Sequence, residues 1–356
     1  MGSGDYRGEL AGERDNGSLR LMNTDHTARE MLRIVQAHYL DKSQYWGFSY
    51  GSILGATFAS MFPEHVGRLV IDGVADAENY FATDWSSSLS DTEKAWSTFL
   101  DGCVAAGPAG CPFFSPTAAE ISENVDKLYA SLRSHPIPVR TPTSFGLVEY
   151  SMLRHAIFQS LYFPYATFPL LAQAIADLAA GNATALFKMS EKPPFECDYD
   201  ESQNRFEPVG EGGDAVLCND GQRIPWAYED FVAHYAIMSE TSPSSADPAT
   251  PLNSAHKMSQ GFPGSVVLTQ DSAGHCSISG PSLCTQKYIQ QYFLEGTLPA
   301  SGTVCPVVGS PFPTDGWAVV DAQAVLGLSA GNRAILKAVR ELAARFEIDI
   351  RFPTGL

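Results

Sequence analysis

The spacing of apolar residues near the start of the chain predicts a helix, a strand, a second helix and a second strand. Between residues 27 and 39 apolar residues recur every three or four positions, and Thr27 and Glu30 have the spacing of a capping box. Gln44–Phe48 is then predicted to be a strand, Ser52–Met61 a helix and Arg68–Asp72 a strand. This alternation is typical of a parallel α/β unit.

The pattern changes after residue 78, where helical periods interrupted by Pro and Gly become dominant. Strand character returns at Ser265–Thr269, and helices are predicted at Pro281–Leu294 and Asn332–Phe346. We therefore predict a mostly parallel sheet with a helical cap inserted after the second strand. The predicted parts are the core, 1–78 and 240–308, the cap, 79–239, and a C-terminal extension, 309–356.

Ser49 lies where the first strand meets the next helix, inside Gly47-Phe48-Ser49-Tyr50-Gly51. A Gly-x-Ser-x-Gly sequence between a strand and a helix is the pattern of a nucleophile elbow. Side chains two residues before and after the serine would collide there, which explains the two glycines. Because a helix N-terminus directs its amides at a developing oxyanion, the amide of Tyr50 is predicted to be an oxyanion donor. The alternative is a glycine-rich turn whose serine has no chemical role.

A serine nucleophile needs a base and an orienting carboxylate. His275 follows a predicted strand and precedes a predicted helix, which suits a base that comes last in the order serine, acid, histidine. Asp247, 28 residues earlier, is the predicted acid. Asp72 is the alternative acid, since it ends the strand after the nucleophile helix, although it could instead cap the turn at Gly73.

The charge of the chain bears on which binding partners are expected. The net charge is -17, which disfavours binding to nucleic acid or to anionic membranes. Residues 155–176 carry no Asp, Glu, Lys or Arg, but their prolines and polar residues predict packed helices rather than a membrane span. With no Cys-x-x-Cys pair and no His-Glu-x-x-His motif, neither a metal nor another cofactor is predicted.

The seven cysteines are spaced as if for disulfide bonds. Cys103 and Cys111 flank a Gly-Pro turn, and Cys284 and Cys305 flank a helix and a glycine-rich return. The alternative is a set of buried free thiols in a cytosolic protein. The first residues lack the basic start and apolar core of a signal peptide, so no secretion signal is visible in this chain.

Taken together, these motifs resemble the tripeptidyl aminopeptidase-like (TAP-like) serine hydrolases of the α/β-hydrolase superfamily, with the fungal members most similar. The resemblance extends from about residue 20 to 308 and is weaker in the cap. In the N-terminal part it rests on Asn23-Thr24, Ala28-Arg29, Tyr45-Trp46-Gly47-Phe48-Ser49-Tyr50-Gly51, Phe62-Pro63 and Ile71-Asp72-Gly73-Val74. In the C-terminal part it rests on Asp247-Pro248, Thr250-Pro251, Gly274-His275, Cys284, Tyr292-Phe293, Gly296, Leu298-Pro299, Gly302-Thr303 and Cys305.

This resemblance implies an α/β-hydrolase fold and a triad of Ser49, Asp247 and His275. It also implies a Cys284–Cys305 bridge and an extracellular or secretory-pathway location. The implied enzyme is a peptidase that releases short peptides from free N-termini, and related enzymes hydrolyse other amides or esters. The substrate itself and the oligomeric state stay open.

Two departures from the family pattern bear on activity. Only 43 residues precede Gln44, and they contain no His-Gly-Gly sequence for the oxyanion loop, so a second oxyanion donor is missing. Residues 238–245, rich in Ser and Thr and containing Pro243, are a poor strand before Asp247. A chain truncated at its N-terminus and shortened internally would explain both. The alternative function is therefore a catalytically impaired binding protein or a fragment on the same fold.

Overall fold

A computed structural model describes residues 3–190, 210–223, 229–230, 232, 246–313 and 327–345. The N-terminal part contains helices α1, Ser3–Arg14, and α2, Thr24–Ala37, then strand β1, Ser43–Phe48, helix α3, Tyr50–Met61, and strand β2, Val66–Asp72. Strands β1 and β2 are parallel, with Gly47 opposite Ile71. The predicted α/β unit is therefore present, with Ser49 at its strand-to-helix junction.

Helix α2 begins earlier than the capping-box pattern predicted. It starts at Thr24, and the side chain of Asn23 accepts a hydrogen bond from the His26 amide at 2.8 Å. The hydroxyl of Thr27 instead donates to the carbonyl of Asn23 at 2.8 Å, one turn back. The prediction was wrong by one turn because Asn23 supplies the capping oxygen.

The middle of the chain is mainly helical and contains the largest apolar core. Buried aromatic rings of Phe99, Phe168 and Phe312 meet at its centre. A short antiparallel hairpin that the periodicity did not predict lies within this region. The elements are α4 Ala77–Phe81, α5 Thr92–Gly110, α6 Ala118–Ser134, β3 Ile137–Arg140, β4 Phe145–Val148, α7 Tyr150–Ser160, α8 Pro164–Ala179, α9 Thr184–Ser190 and α10 Gly210–Asp220. The division into core, cap and extension at the predicted boundaries stays a prediction.

The C-terminal part completes the described fold with a second small parallel sheet. Its elements are α11 Leu252–Ser259, β5 Thr269–Asp271, α12 Leu283–Glu295, β6 Val304–Pro306 and α13 Ala330–Arg345, and β5 pairs with β6. Within the described ranges, short 3-10 helices occur at Leu19–Leu21, Pro63–His65 and Ser277–Ser279. In the described part of the chain, no helix is both long and apolar enough to cross a membrane.

The predicted strand at Ser265–Thr269 is wrong except at its last residue, because strand pairing begins only at Thr269. An apolar cavity of about 530 Å³ separates residues 264–268 from the edge of β2. Among the described residues no strand fills this space, so the β-prone residues Val266 and Val267 have no strand to pair with there. The segment 238–245, which was predicted to be a poor strand before Asp247, lies outside the described residues.

Both predicted disulfide bonds are confirmed, Cys103–Cys111 and Cys284–Cys305. Cys218 and Cys276 are free, and Cys197 lies outside the described residues. The second bridge joins Cys284, in the first turn of α12, to Cys305 in β6, 21 positions later. Its constraint on the unfolded chain corresponds to about 3 kcal/mol.

Replacing both Cys284 and Cys305 with serine is therefore expected to lower the free energy of unfolding by about 3 kcal/mol. Chemical denaturation under oxidising conditions measures this change. Cys218→Ser is the matched control, because that exposed thiol is not bridged. Equal stability of the double variant and the control would contradict the structural role of this bridge.

Candidate active site

Ser49 has a backbone conformation that few non-glycine residues adopt. Its φ is 54° and its ψ is -117°, and it lies between the end of β1 and the start of α3. Although Ser49 is the N-cap residue of α3, its side chain makes no capping hydrogen bond. The Ser49 amide donates to the carbonyl of Asp72 at 2.9 Å, which fixes the turn against the end of β2. This strain at an uncommitted hydroxyl is the geometry of a nucleophile elbow.

The two glycines of the motif differ in how strictly they are required. A Cβ atom added at Gly47 would lie 2.4 Å from the Tyr45 ring and 2.5 Å from the Gly51 carbonyl oxygen. A Cβ atom added at Gly51 would meet only the Tyr45 hydroxyl, at 3.2 Å. The elbow therefore excludes a side chain at position 47 much more strictly than at position 51.

Gly47→Ala is expected to destabilise the protein by about 1–3 kcal/mol, because the new methyl group overlaps main-chain atoms that cannot move away. Gly51→Ala is the matched control and is expected to change the free energy of unfolding by less than about 1 kcal/mol. Urea denaturation of the two variants measures the difference. Equal destabilisation by both substitutions would show that the elbow geometry given above is wrong.

His275 and Asp247 are brought into direct contact. Nδ1 of His275 lies 3.0 Å from Oδ1 and 3.1 Å from Oδ2 of Asp247. Thr250 donates its hydroxyl to Asp247 Oδ2 at 2.8 Å and lies 3.1 Å from His275 Nδ1. Since the carboxylate accepts a hydrogen bond from Nδ1–H, it holds the imidazole in the tautomer that leaves Nε2 free to act as a base.

The surroundings of Asp247 keep it ionised. Burial alone would raise its pKa, but the charge of His275 and its hydrogen bond outweigh burial, so the pKa of Asp247 lies below its usual value. The amides of Ala249 and Thr250 add to this lowering by donating to Oδ1, each at 2.9 Å. Asp247 is therefore a charged acceptor for His275 at neutral pH.

Asp72, the alternative acid, makes a different set of contacts. Its carboxylate accepts hydrogen bonds from the amide and hydroxyl of Ser277, at 2.7 and 2.6 Å, and from Trp46 Nε1 at 3.2 Å. Burial is the main reason that the pKa of Asp72 is raised, although these bonds oppose the rise. Asp72 thus ties β1 and β2 to the loop that carries His275, and the carboxylate bonded to the imidazole is that of Asp247.

His275 is fully buried, and Tyr162, from the helical middle part of the chain, packs against it. The His275 amide donates to the carbonyl of Tyr162 at 2.9 Å, and the two rings are 5.0 Å apart in an edge-to-face arrangement. Nε2 of His275 has no hydrogen-bond partner among the described residues. The structure thus joins the predicted acid and base, whereas the serine–histidine hydrogen bond is not formed. In unliganded enzymes such bonds are often long and tighten only with substrate.

Ser49 and the loop of His275 nevertheless meet at one atom. The carbonyl oxygen of Asp72 accepts from the Ser49 amide at 2.9 Å and from the thiol of Cys276 at 3.6 Å. Cys276 is buried, and burial, followed by the charges of Asp72 and Asp247, raises its pKa well above the usual value. The thiol is therefore a neutral packing group between the elbow and the base.

Two contributors to the site were not assigned a role from the sequence. Thr250 bonds both members of the acid–base pair. The sequence signal for this loop is the Asx turn, in which Asp247 bonds the amide of Ala249 two residues on, and the Thr250 amide bonds the same oxygen. Tyr162 carries no such signal, because its contact with His275 spans more than 100 positions of the chain. Among the described residues, no group of three His, Cys, Asp or Glu side chains is arranged to hold a metal ion.

Comparison with known proteins adds two family matches and several relatives. Residues 5–106 match the family described as alpha/beta hydrolase fold, and residues 243–305 match the family described as TAP-like protein. A tripeptidyl aminopeptidase of Streptomyces lividans is 27% identical over 338 residues, covering 85% of this chain and 61% of the relative. The serine protease Hip1 of Mycobacterium tuberculosis strain H37Rv is 24% identical over 334 residues, covering 80% and 62%. The chain thus spans about three fifths of the length of these relatives.

The first match contains the whole β1–α3–β2 unit, and the second contains both Asp247 and His275. The chain therefore has an α/β-hydrolase fold, with an incomplete parallel sheet in its described part. The matches and the relatives together support a TAP-like α/β hydrolase. That the fungal members are most similar, and that the chain is truncated, stay predictions.

Proposed function

We propose that the chain is a serine peptidase that acts through Ser49 as nucleophile, His275 as base and Asp247 as the orienting acid. The observation that carries this proposal is the Asp247–His275 pair, at 3.0 Å. The residue after His275, Cys276, bonds the same Asp72 carbonyl oxygen that accepts from the Ser49 amide. In the first step, His275 Nε2 takes the proton of the Ser49 hydroxyl as its oxygen attacks the carbonyl carbon. The protonated imidazole then gives that proton to the leaving amine, and water repeats the sequence on the acyl-enzyme.

The amide of Tyr50 is proposed to stabilise the oxyanion. Tyr50 is the first residue of α3, so its N–H has no acceptor within the helix and points out of the positive end of the helix dipole. One such donor contributes about 100- to 1000-fold in rate.

The proposed substrates are peptides with a free N-terminus, supported by the naming of a relative as a tripeptidyl aminopeptidase. An extracellular or secretory-pathway location is proposed from the two disulfide bonds, which persist in oxidising compartments. A non-catalytic binding protein is the second candidate, favoured by Nε2 of the fully buried His275, which no described residue bonds.

Hydrolysis of a tripeptidyl-coumarin reporter with a free N-terminus, compared with its N-acetylated form, tests the proposed function. Turnover of the free form that is lost in Ser49→Ala and kept in Ser97→Ala is the expected result. Ser97 is a suitable control because it is exposed on α5 and its hydroxyl donates to the backbone carbonyl of Glu93. Equal turnover of both reporters would overturn the N-terminal preference, and no Ser49-dependent turnover would favour the binding protein.

A further inference from the structure

A polar network connects the end of α10 to the residue that follows the nucleophile. Asp220, the last residue of α10, accepts hydrogen bonds from the amide and hydroxyl of Thr24, at 2.8 and 2.5 Å. The Thr24 hydroxyl lies 2.7 Å from the hydroxyl of Tyr50. Tyr80 donates its hydroxyl at 2.8 Å to Oδ2 of Asp220, the oxygen that also accepts from the Thr24 hydroxyl. Thr24 is fully buried and Tyr80 nearly so, whereas Tyr50 and Asp220 are partly exposed.

The direction of the hydrogen bonds follows from the proton count. An ionised carboxylate only accepts, and a threonine hydroxyl has one proton to donate. Since Thr24 gives that proton to Asp220, the hydroxyl of Tyr50 must donate to Thr24. Burial, the largest influence, raises the pKa of Tyr50, so its phenol keeps the proton that this bond requires. The network therefore runs in one direction, from Tyr50 through Thr24 to Asp220.

The first turn of α3 needs hydrogen bonds from other residues to fix its position, because the Ser49 side chain does not cap it. A helix N-cap normally uses its side chain to bond the first free amides, and here Ser49 makes no such bond. The tether on the Tyr50 side chain holds the first turn of α3 against the N-terminus of α2 instead. The Asp220 carboxylate suits this place, since its Oδ1 accepts the first amide of α2, where a negative charge is favoured.

We infer that Asp220 is a positioning residue for the reaction at Ser49, acting through Thr24 and Tyr50 to hold the oxyanion-binding amide of Tyr50. The inference rests on the proposed function of Ser49. It also makes the Asp220–Thr24 bonds a condition for a fully formed elbow, although the two residues lie 196 positions apart in the chain. Asp220 has no contact with the reacting atoms in this role.

The neighbouring residue provides a matched control. Asn219 docks the same end of α10 on the same segment, because its side-chain amide donates to the carbonyls of Leu19 and Met22 at 2.8 and 3.0 Å. These bonds do not involve Tyr50. A loss of docking alone should therefore follow Asn219→Ala, whereas a loss of positioning should require Asp220, Thr24 or Tyr50.

The test measures the rate constant for labelling of Ser49 by a fluorophosphonate, whose phosphoryl oxygen enters the oxyanion site. Asp220→Asn, Thr24→Val and Tyr50→Phe are each expected to slow labelling about tenfold. Thr24→Ser, which keeps the hydroxyl that Thr24→Val removes, is expected to label at the rate of the unsubstituted chain. The Asp220→Asn/Tyr50→Phe double variant is expected to be no slower than either single variant, because both remove one network. Asn219→Ala is expected to lower the melting temperature and leave the labelling rate near that of the unsubstituted chain. Thermal unfolding identifies any variant that does not fold.

Multiplicative slowing in the double variant, or equal slowing by Asn219→Ala and Asp220→Asn, would overturn the positioning role. So would unchanged labelling in all three network variants, and in that case the proposed function would stand. If Ser49 of the unsubstituted chain is not labelled, the proposed function fails and the positioning role fails with it. Labelling of the unsubstituted protein therefore distinguishes failure of the proposed function from failure of the positioning role alone.

Discussion

Asp247→Asn is expected to lower kcat by about 10⁴-fold, the size of effect seen when the acid of such a triad loses its charge. The amide can present an N–H to Nδ1 of His275, which stabilises the tautomer with its proton on Nε2. That tautomer cannot take the proton of Ser49. The protein should still fold, since Asn can retain the bonds from the Ala249 and Thr250 amides.

Asp72→Asn is the matched control for this prediction. Its carboxylate bonds Ser277 and Trp46, so its loss should lower the free energy of unfolding while much of the activity survives. Steady-state turnover and urea denaturation of both variants measure the contrast. A 10⁴-fold loss in Asp72→Asn with little loss in Asp247→Asn would reverse the assignment of the acid.

Gly73→Ala is expected to combine a large loss of stability with a loss of activity. Gly73 has a φ of +60°, and an added Cβ atom would lie 2.3 Å from the Cys276 sulfur and 3.2 Å from Cε1 of His275. The left-handed backbone costs about 1–2 kcal/mol for alanine, and the overlap costs about 1–3 kcal/mol more. Because the overlap displaces His275, kcat should fall by about 100-fold.

Two further variants separate these contributions. Gly181→Ala has a similar backbone problem, with a φ of +89°, but no atom lies within 4 Å of its added Cβ, so only the backbone cost is expected. Cys276→Ala in the Gly73→Ala background removes the sulfur and should recover part of the stability and activity. Equal losses in Gly73→Ala and Gly181→Ala, with no recovery in the double variant, would show that the packing around His275 does not have the stated role.

The local parts of this fold were readable from the sequence. The β1–α3–β2 unit, with elements of 6, 12 and 7 residues, follows from the apolar pattern of the sequence, and the Gly-x-Ser-x-Gly sequence marks its junction. The pairing of His275 with Asp247 was predictable because both residues lie in a short C-terminal stretch with recognisable motifs. The two disulfide bonds were predictable because each joins cysteines that are close in the sequence, 8 and 21 positions apart.

The features that the sequence did not reveal depend on distant contacts. Val266 and Val267 have high strand propensity, but a strand forms only where a neighbour is present, and a cavity occupies that side. The bond from Thr24 to Asp220 and the cover of Tyr162 over His275 join residues more than 100 positions apart. Hydrophobic periodicity contains no information about such pairs.

The central claim is that Ser49 is an activated nucleophile, and covalent labelling tests it most directly. The purified chain is incubated with a fluorophosphonate, digested and analysed by mass spectrometry. The account predicts one modified peptide with the adduct on Ser49, absent in Ser49→Ala and strongly reduced in Asp247→Asn. An adduct on another residue, or labelling that survives Ser49→Ala, would contradict it.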